Sequence, residues 1–471
     1  MMNRWFLAVG SAALLAALAA VWPASAQTLT EALAYAYQTN PQLLAQRALL
    51  RATDEGVPQA LSNWRPTVTV TGQTGFQNSS ETFFHPCPQP LGADSRCSSL
   101  YRNTRPSAVD LTVTEPVYRG GRTEAATRQA IDAVNATRAQ TLATETTVFQ
   151  AVVQGYLDVV RDQNLVEVQR NNEQVLRKQL EATRDRFRVG EVTRTDVAQA
   201  ESQLAQATAT RTAAEGQLAV SQANYARAVG RQPGRLLLPR ERPALPATRD
   251  EALSLAANDN YNVIAASFAE LAARDNIEVV RGQLLPQISI VGDLNRTYDQ
   301  SFTFKNTAAT AASITARMTM PLYEGGAIYS QTRQAEQQVG QRRSQVDDAR
   351  RMSVQSATQN WETLNSARAS IASFATAVRA AQIALEGTQQ EALVGSRTVL
   401  DVLIADQQLL TTQSQLVTAQ HDAALAEFNL AAAIGRLVAP ELNLGVELYD
   451  MERHYREVKD KWLGFGGGLK E

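Results

Sequence analysis

Few residues of this 471-residue chain have the types and spacing that chemistry requires. The three histidines, His85, His421 and His454, fall in a loop, a helical stretch and a tail, without the partner spacing of a zinc site or a catalytic triad. No phosphate-cradling Gly loop, dinucleotide fingerprint or nucleophile elbow is present. The reading is therefore not an enzyme, with no cofactor and no metal. Lys+Arg (45) and Asp+Glu (47) nearly balance and are interspersed, which supplies no electrostatic reason for nucleic-acid binding. The two cysteines, Cys87 and Cys97, are expected to close a small disulfide ring in an oxidising compartment, worth about 3 kcal/mol of unfolded-state entropy.

What remains is charge and hydrogen bonding concentrated in two related stretches. They are Val189-Gly190-Glu191-Val192-Thr193-Arg194-Thr195-Asp196-Val197 and Val394-Gly395-Ser396-Arg397-Thr398-Val399-Leu400-Asp401-Val402. In each, Gly follows a long helical pattern as a C-terminal αL residue does, and Thr precedes a new apolar pattern as an N-cap does. Asp196 and Asp401 stand six residues past their glycines, at the start of the returning helix. Both stretches are predicted to be tight turns at the tips of helical hairpins.

The elements that position these tips occur twice. At the tips' offset of 205 residues, Pro116, Gly120 and Gly121 fall on Pro321, Gly325 and Gly326, Thr127-Arg128-Gln129-Ala130 on Thr332-Arg333-Gln334-Ala335, and Gly230-Arg231 on Gly435-Arg436. Upstream the offset is 220, with Glu31-Ala32-Leu33 on Glu251-Ala252-Leu253, Asn40 on Asn260, Pro66 on Pro286 and Gly72 on Gly292. A tandem duplication is expected, with fifteen extra residues in the first copy around the two cysteines. The boundaries read as a signal peptide at 1–26, a first repeat at 27–230 (hairpin 66–118, tip 189–195), a linker at 231–249, a second repeat at 250–436 (hairpin 286–322, tip 394–400) and a tail at 437–471.

Arg4, the apolar run from Phe6 to Val21 and the exit Ala24-Ser25-Ala26 describe the export signal. No later apolar run is long enough for a transmembrane helix, so a membrane crossing has to use β-strands, as in an outer membrane. Thr28 to Trp64 reads as a helix stopped by Pro66. Thr67 to Phe76 and Ala108 to Tyr118 alternate as strands, and Ile288, Ile290, Ile314, Ala316, Met318 and Met320 repeat the scheme. Asp110, Thr112, Thr315 and Arg317 share the polar parity, and Val109, Leu111, Ile314 and Met318 the apolar one. Aromatics (Phe83, Phe84, Tyr101, Tyr298, Phe302, Phe304) cluster towards the loops, with Tyr118 and Tyr323 at the other end. Such strands suit a barrel wall or a soluble hairpin with one wet face. Four of them cannot close a barrel, so the membrane reading requires oligomers. Thr123 to Arg188 and Ile328 to Leu393 read as helices of about 100 Å. Val159, Val166, Glu173 and Leu180, and Leu364, Ile371, Val378 and Leu385, form seven-residue stripes, which fit a curved coiled-coil wall or a solid antiparallel bundle. The fold class is α+β, mainly α.

With this pattern assembled, the chain resembles the TolC family of outer-membrane efflux and secretion channels. The residues that carry the resemblance are Thr28-Leu29-Thr30-Glu31-Ala32-Leu33 with Asn40-Pro41, Pro116-Val117-Tyr118 with Gly120-Gly121 and its copy Pro321-Leu322-Tyr323 with Gly325-Gly326, and the two tips. The resemblance implies a homotrimer whose twelve strands form one barrel in outer-membrane lipid, continued by a twelve-helix periplasmic tunnel. It implies that a periplasmic adapter (membrane fusion protein) of an inner-membrane ABC or RND transporter docks on the tips at Val189, Gly190, Thr193, Val394, Gly395 and Thr398. It further implies a gate in which Arg397 bonds to Thr195 and Asp196 of a neighbouring protomer, and a constriction ring of Asp401. A second Asp, usual in the family, is here Ile404, and a Tyr of some members is Ala392. The alternative reading is a trimeric coiled-coil structural protein without a pore, which leaves the duplicated hairpins unexplained. A periplasmic adapter would need a lipoyl-like all-β domain, and none is found in the sequence.

Overall fold

The computed structural model describes residues 27–81, 100–239, 241–300 and 306–465. The expected signal segment, Cys87, Cys97, His85 and the loop residues Phe83, Phe84, Phe302 and Phe304 lie outside the described residues.

The chain opens with α1 (Leu29–Thr39), α2 (Pro41–Asp54) and α3 (Gly56–Leu61), where the apolar periodicity suggests one helix from Thr28 to Trp64. The first break is chemical. Pro41 has no amide hydrogen to donate and takes the first position of α2, while Asn40 is extended (φ −67°, ψ 123°) and accepts from the Gln42 amide at 2.9 Å. Then follow β1 (Thr67–Thr74), β2 (Gln77–Glu81), β3 (Leu100–Thr104), β4 (Ser107–Arg119), α4 (Arg122–Arg188) and α5 (Arg194–Val229). After the linker come α6 (Arg249–Asn258), α7 (Tyr261–Arg281), β5 (Gln287–Tyr298), β6 (Ala308–Thr319), α8 (Ala327–Leu393) and α9 (Val399–Ala433). Short helices α10 (Ala439–Leu442) and α11 (Arg453–Val458) close the described chain. Asn260 repeats the Asn40 cap at the start of α7. Helices α4 and α8 each run 67 residues without a proline.

The chain divides into two compact units. The first comprises residues up to Tyr35, Val152–Glu241 and Ala377–His421. Its α4 stripe of Val159, Val166, Glu173 and Leu180 is buried throughout. Glu173 is tolerated there because Arg177 and Arg211 hold its carboxylate at 2.8 and 2.5 Å. Tyr156, also buried, places its hydroxyl 2.9 and 2.8 Å from the carbonyls of Gln27 and Leu237, which share its single proton. His421 Nε2 lies 3.0 Å from Asp158 Oδ1. Burial alone would raise the Asp158 carboxyl, but the bond from His421 and the charge of Arg161 hold it below its usual range.

The second unit comprises Ala36–Ala151, Arg242–Thr376 and Asp422–Glu471. Ala252, Ala256, Ala357, Ala426 and Ala433 surround Leu364, Leu430 and Ile434, small residues that let helix backbones approach closely. A second cluster joins Leu50, Val57 and Val134 to Tyr449, Met451 and Tyr455, so the tail is strapped onto α2, α3 and α4. The strap is reinforced by guanidinium stacking: Arg47 over Tyr449 at 5.0 Å, Arg138 over Tyr455 at 5.2 Å and Arg65 over Trp462 at 4.7 Å.

This unit also carries an antiparallel sheet of order β1-β4-β5-β6, with β2 and β3 paired beyond it. Where β4 passes into α4, Gly120 adopts φ 67°, and a Cβ there would collide with the Gly282 backbone after α7. Only glycine satisfies both demands.

Candidate functional site

Each tip is built by local chemistry. Helix α4 ends when Gly190 turns left-handed (φ 85°): its amide bonds the Phe187 carbonyl at 3.0 Å, and the Glu191 amide bonds Arg186 at 2.9 Å. Gly395 (φ 81°) ends α8 in the same way, with Gly395 to Ala392 at 3.2 Å and Ser396 to Glu391 at 3.0 Å. This pair of bonds satisfies carbonyls that a helix end otherwise leaves unpaired. The returning helices start on reciprocal caps. Thr193 Oγ1 accepts from the Asp196 amide at 3.2 Å while Asp196 accepts from the Thr193 amide at 2.8 Å. Thr398 and Asp401 repeat this at 3.2 and 2.9 Å.

The Asp401 carboxyl is held below its usual range by the amide and hydroxyl of Thr398, with Arg397 adding charge. Arg397 Nε reaches Glu391 Oε2 at 2.9 Å across its own turn. The first tip carries the same cross-turn pair with the order reversed, Arg186 Nε to Glu191 Oε2 at 3.1 Å. Glu391, Arg186 and Glu191 escape a sequence reading that seeks Arg397's partners at Thr195 and Asp196. Their signal is an acid and a base flanking a turn glycine. Thr195, Val189 and Val394 are exposed. The two tips are fastened together by a cluster of Leu176, Ala207, Val399 and Leu403, with Val192 and Leu204 packed on it.

The sheet separates its two faces by parity. Thr112 stands opposite Asp293, Asp110 opposite Asn295, and Thr315 and Arg317 opposite Val291 and Ser289. Thr112 Oγ1 donates within this polar face, lying 3.0 Å from both Asp110 Oδ2 and Asp293 Oδ1. The other face carries Val68, Val70, Val109, Leu111, Leu294, Ile314 and Met318. It is bare: Val70 is 67 % exposed, Met318 67 % and Ile314 84 %. Among the described residues β1 and β6 have no outer neighbour. No helix of the described residues is long and apolar enough to cross a membrane.

An exposed apolar face backed by a polar one, on strands of twelve and thirteen residues joined to 67-residue helices, defines a class: the outer-membrane channels whose wall is shared between strands and long helices. The comparisons with known proteins agree. The outer membrane efflux protein family matches residues 32–231 and 252–436, and the chain belongs to that family. It is 33 % identical over 441 residues to outer membrane efflux protein BepC of Brucella suis, covering 94 % of this chain and 92 % of that protein. It is 29 % identical to outer membrane protein TolC of Vibrio cholerae, over 91 % of this chain and 94 % of that one. The crystal structure of outer membrane protein VceC from Vibrio cholerae shares the fold, with a TM-score of 0.73 at 21 % identity over 86 % of this chain and 96 % of that chain. The protein is an outer-membrane efflux channel of the kind that serves tripartite export, and not an enzyme.

Proposed function

We propose that three copies of this chain close one twelve-stranded barrel, and that the tips form a gate which an adapter opens. The observation that carries the reading is the four-stranded sheet with an exposed apolar face and two unpaired edges. Unpaired strand edges in hydrocarbon cost several kcal/mol per polar group, so copies must supply the missing neighbours. A closed ring of identical contacts does so with cyclic symmetry. Asp110, Thr112, Asp293, Thr315 and Arg317 then line the lumen, and the apolar face meets lipid.

In this assembly Arg397 exchanges or shares its Glu391 contact with Thr195 and Asp196 of the neighbouring copy, and three Asp401 side chains approach one axis. The exposed tip residues Val189, Gly190, Thr193, Val394, Gly395 and Thr398 form the docking surface for a periplasmic adapter, which couples the channel to an inner-membrane ABC or RND transporter. Residues 1–26 are removed on export, and Cys87 and Cys97 pair outside the cell. Planar-bilayer recording of the purified full-length protein, with its mass measured in detergent, tests the assembly. Discrete channels from a species of three chains are expected; a monomer or a species without conductance would refute it.

A further inference from the structure

The apolar sheet face ends in two cations. Strands β1 and β2 share one register with β4 and β3: Thr74 stands opposite Ser107 and Gln77 opposite Thr104, with the Gly75 amide bonded to the Pro106 carbonyl at 3.0 Å between them. Phe76 therefore stands opposite Arg105. On β5, Tyr298 is opposite Ser107 and Arg296 opposite Val109. Since side chains alternate along a strand, Arg105, Phe76, Arg296 and Tyr298 all continue the face that bears Val109 and Leu294. They lie at the end of the sheet away from α4 and α7, which join it at the other end.

Both cations are braced by aromatic rings. The Arg105 guanidinium lies 4.8 Å from the centroid of Phe76, and that of Arg296 lies 5.2 Å from Tyr298, two residues further towards the loop end. Arg296 thus runs outward, as a cation does when its stem lies along apolar surface and its head seeks the interface. Among the described residues neither guanidinium has an ion pair. The neighbouring carboxylate, Asp299, is already engaged by Arg102 at 3.3 Å and by the Arg105 amide at 3.0 Å. The other charged residue of this face is Glu115, opposite Ile290 near the helix end. Positive charge is confined to the outer end.

We propose that Arg105 and Arg296 form a binding site for the bisphosphorylated glycolipid, lipid A, of the outer leaflet. A guanidinium binds a phosphate through two parallel hydrogen bonds, and aromatic rings settle at headgroup level. The rings that brace the two heads, Phe76 and Tyr298, stand two strands and two residues apart, on the order of 12 Å, a spacing for two phosphates on one disaccharide rather than one phosphodiester. The site rests on the barrel reading, which places this face in the membrane.

Binding of bisphosphorylated lipid A, monophosphorylated lipid A and phosphatidylglycerol to the purified full-length protein, followed by native mass spectrometry, tests it. The wild type is expected to bind the bisphosphorylated form at least tenfold more tightly than Arg105→Gln/Arg296→Gln, with each single variant weakened about threefold and phosphatidylglycerol unaffected. Equal binding of lipid A to wild type and double variant overturns the proposal, as does phosphatidylglycerol binding as tightly as lipid A. If the double variant fails to assemble, the single variants carry the same comparison. Conductance separates the two readings: a wild type without channels strikes the barrel, whereas normal channels with indifferent lipid A binding strike only this site.

Discussion

Replacing Asp54 by Asn is expected to make the C-terminal strap insensitive to pH. Asp54 is fully buried, and neither carboxylate oxygen has a hydrogen-bond partner among the described residues. It lies between Leu50 and Val57, both packed under Tyr449, Met451 and Tyr455. Burial pushes its carboxyl up from 3.8 to about 6, against the pull of His454 and Arg138, while Glu55 adds to the rise. Because the folded value is raised, the stability this group confers is complete below 3.8 and is lost as pH rises through about 6. That displacement corresponds to about 3 kcal/mol across the whole window. The groups around it from the packed elements are Glu55, Arg138, Glu452 and His454, with Arg138 Nη1 3.5 Å from Glu452 Oε1 and His454 Nε2 3.4 Å from Glu55 Oε1. Hydrogen exchange of the 449–458 amides, corrected for intrinsic rates, reads the opening of the strap. Wild type is expected to open more easily at pH 8 than at pH 5 by about 1.4 kcal/mol, the part of that total which is lost between pH 5 and about 6, and Asp54→Asn to open equally at both. A His454→Gln background removes the imidazole that faces this helix end. The same pH slope with Asp or Asn at position 54 in that background would refute the reasoning.

Two further outcomes concern the tips and the two cysteines. Arg397→Ser is expected to lengthen channel openings or raise conductance, and Asp401→Ala to weaken cation preference, because Ile404 supplies no second carboxylate; unchanged single-channel records for both would reduce these residues to turn and cap chemistry. Unreduced protein is expected to leave Cys87 and Cys97 unlabelled by a thiol reagent, and stoichiometric labelling of both would remove the proposed disulfide.

The tips were legible in the sequence because everything that makes them is local. A left-handed glycine and a Thr cap act within one turn, and the structure places Gly190 and Thr193, and Gly395 and Thr398, in those roles, with Asp196 and Asp401 adding a reciprocal bond that the sequence reading did not include. Strand parity was legible for the same reason: alternation along one strand assigns every side chain to a face before its neighbour is known. The single helix expected from Thr28 to Trp64 failed because periodicity was read across Pro41, although the missing amide hydrogen was plain in the sequence.

Only the tertiary structure decided which distant groups meet. Arg47 with Tyr449, Arg138 with Tyr455 and Arg65 with Trp462 are each separated by more than 300 residues, and no local preference encodes such pairs. The raised Asp54 carboxyl depends on that strap, since an aspartate on a helix is a solvated residue until another segment covers it. Arg397 shows the boundary between the two. Its turn is determined by the nine residues around it, but the choice of Glu391 as partner depends on where the end of α8 points, and a partner on a second copy depends on how copies close.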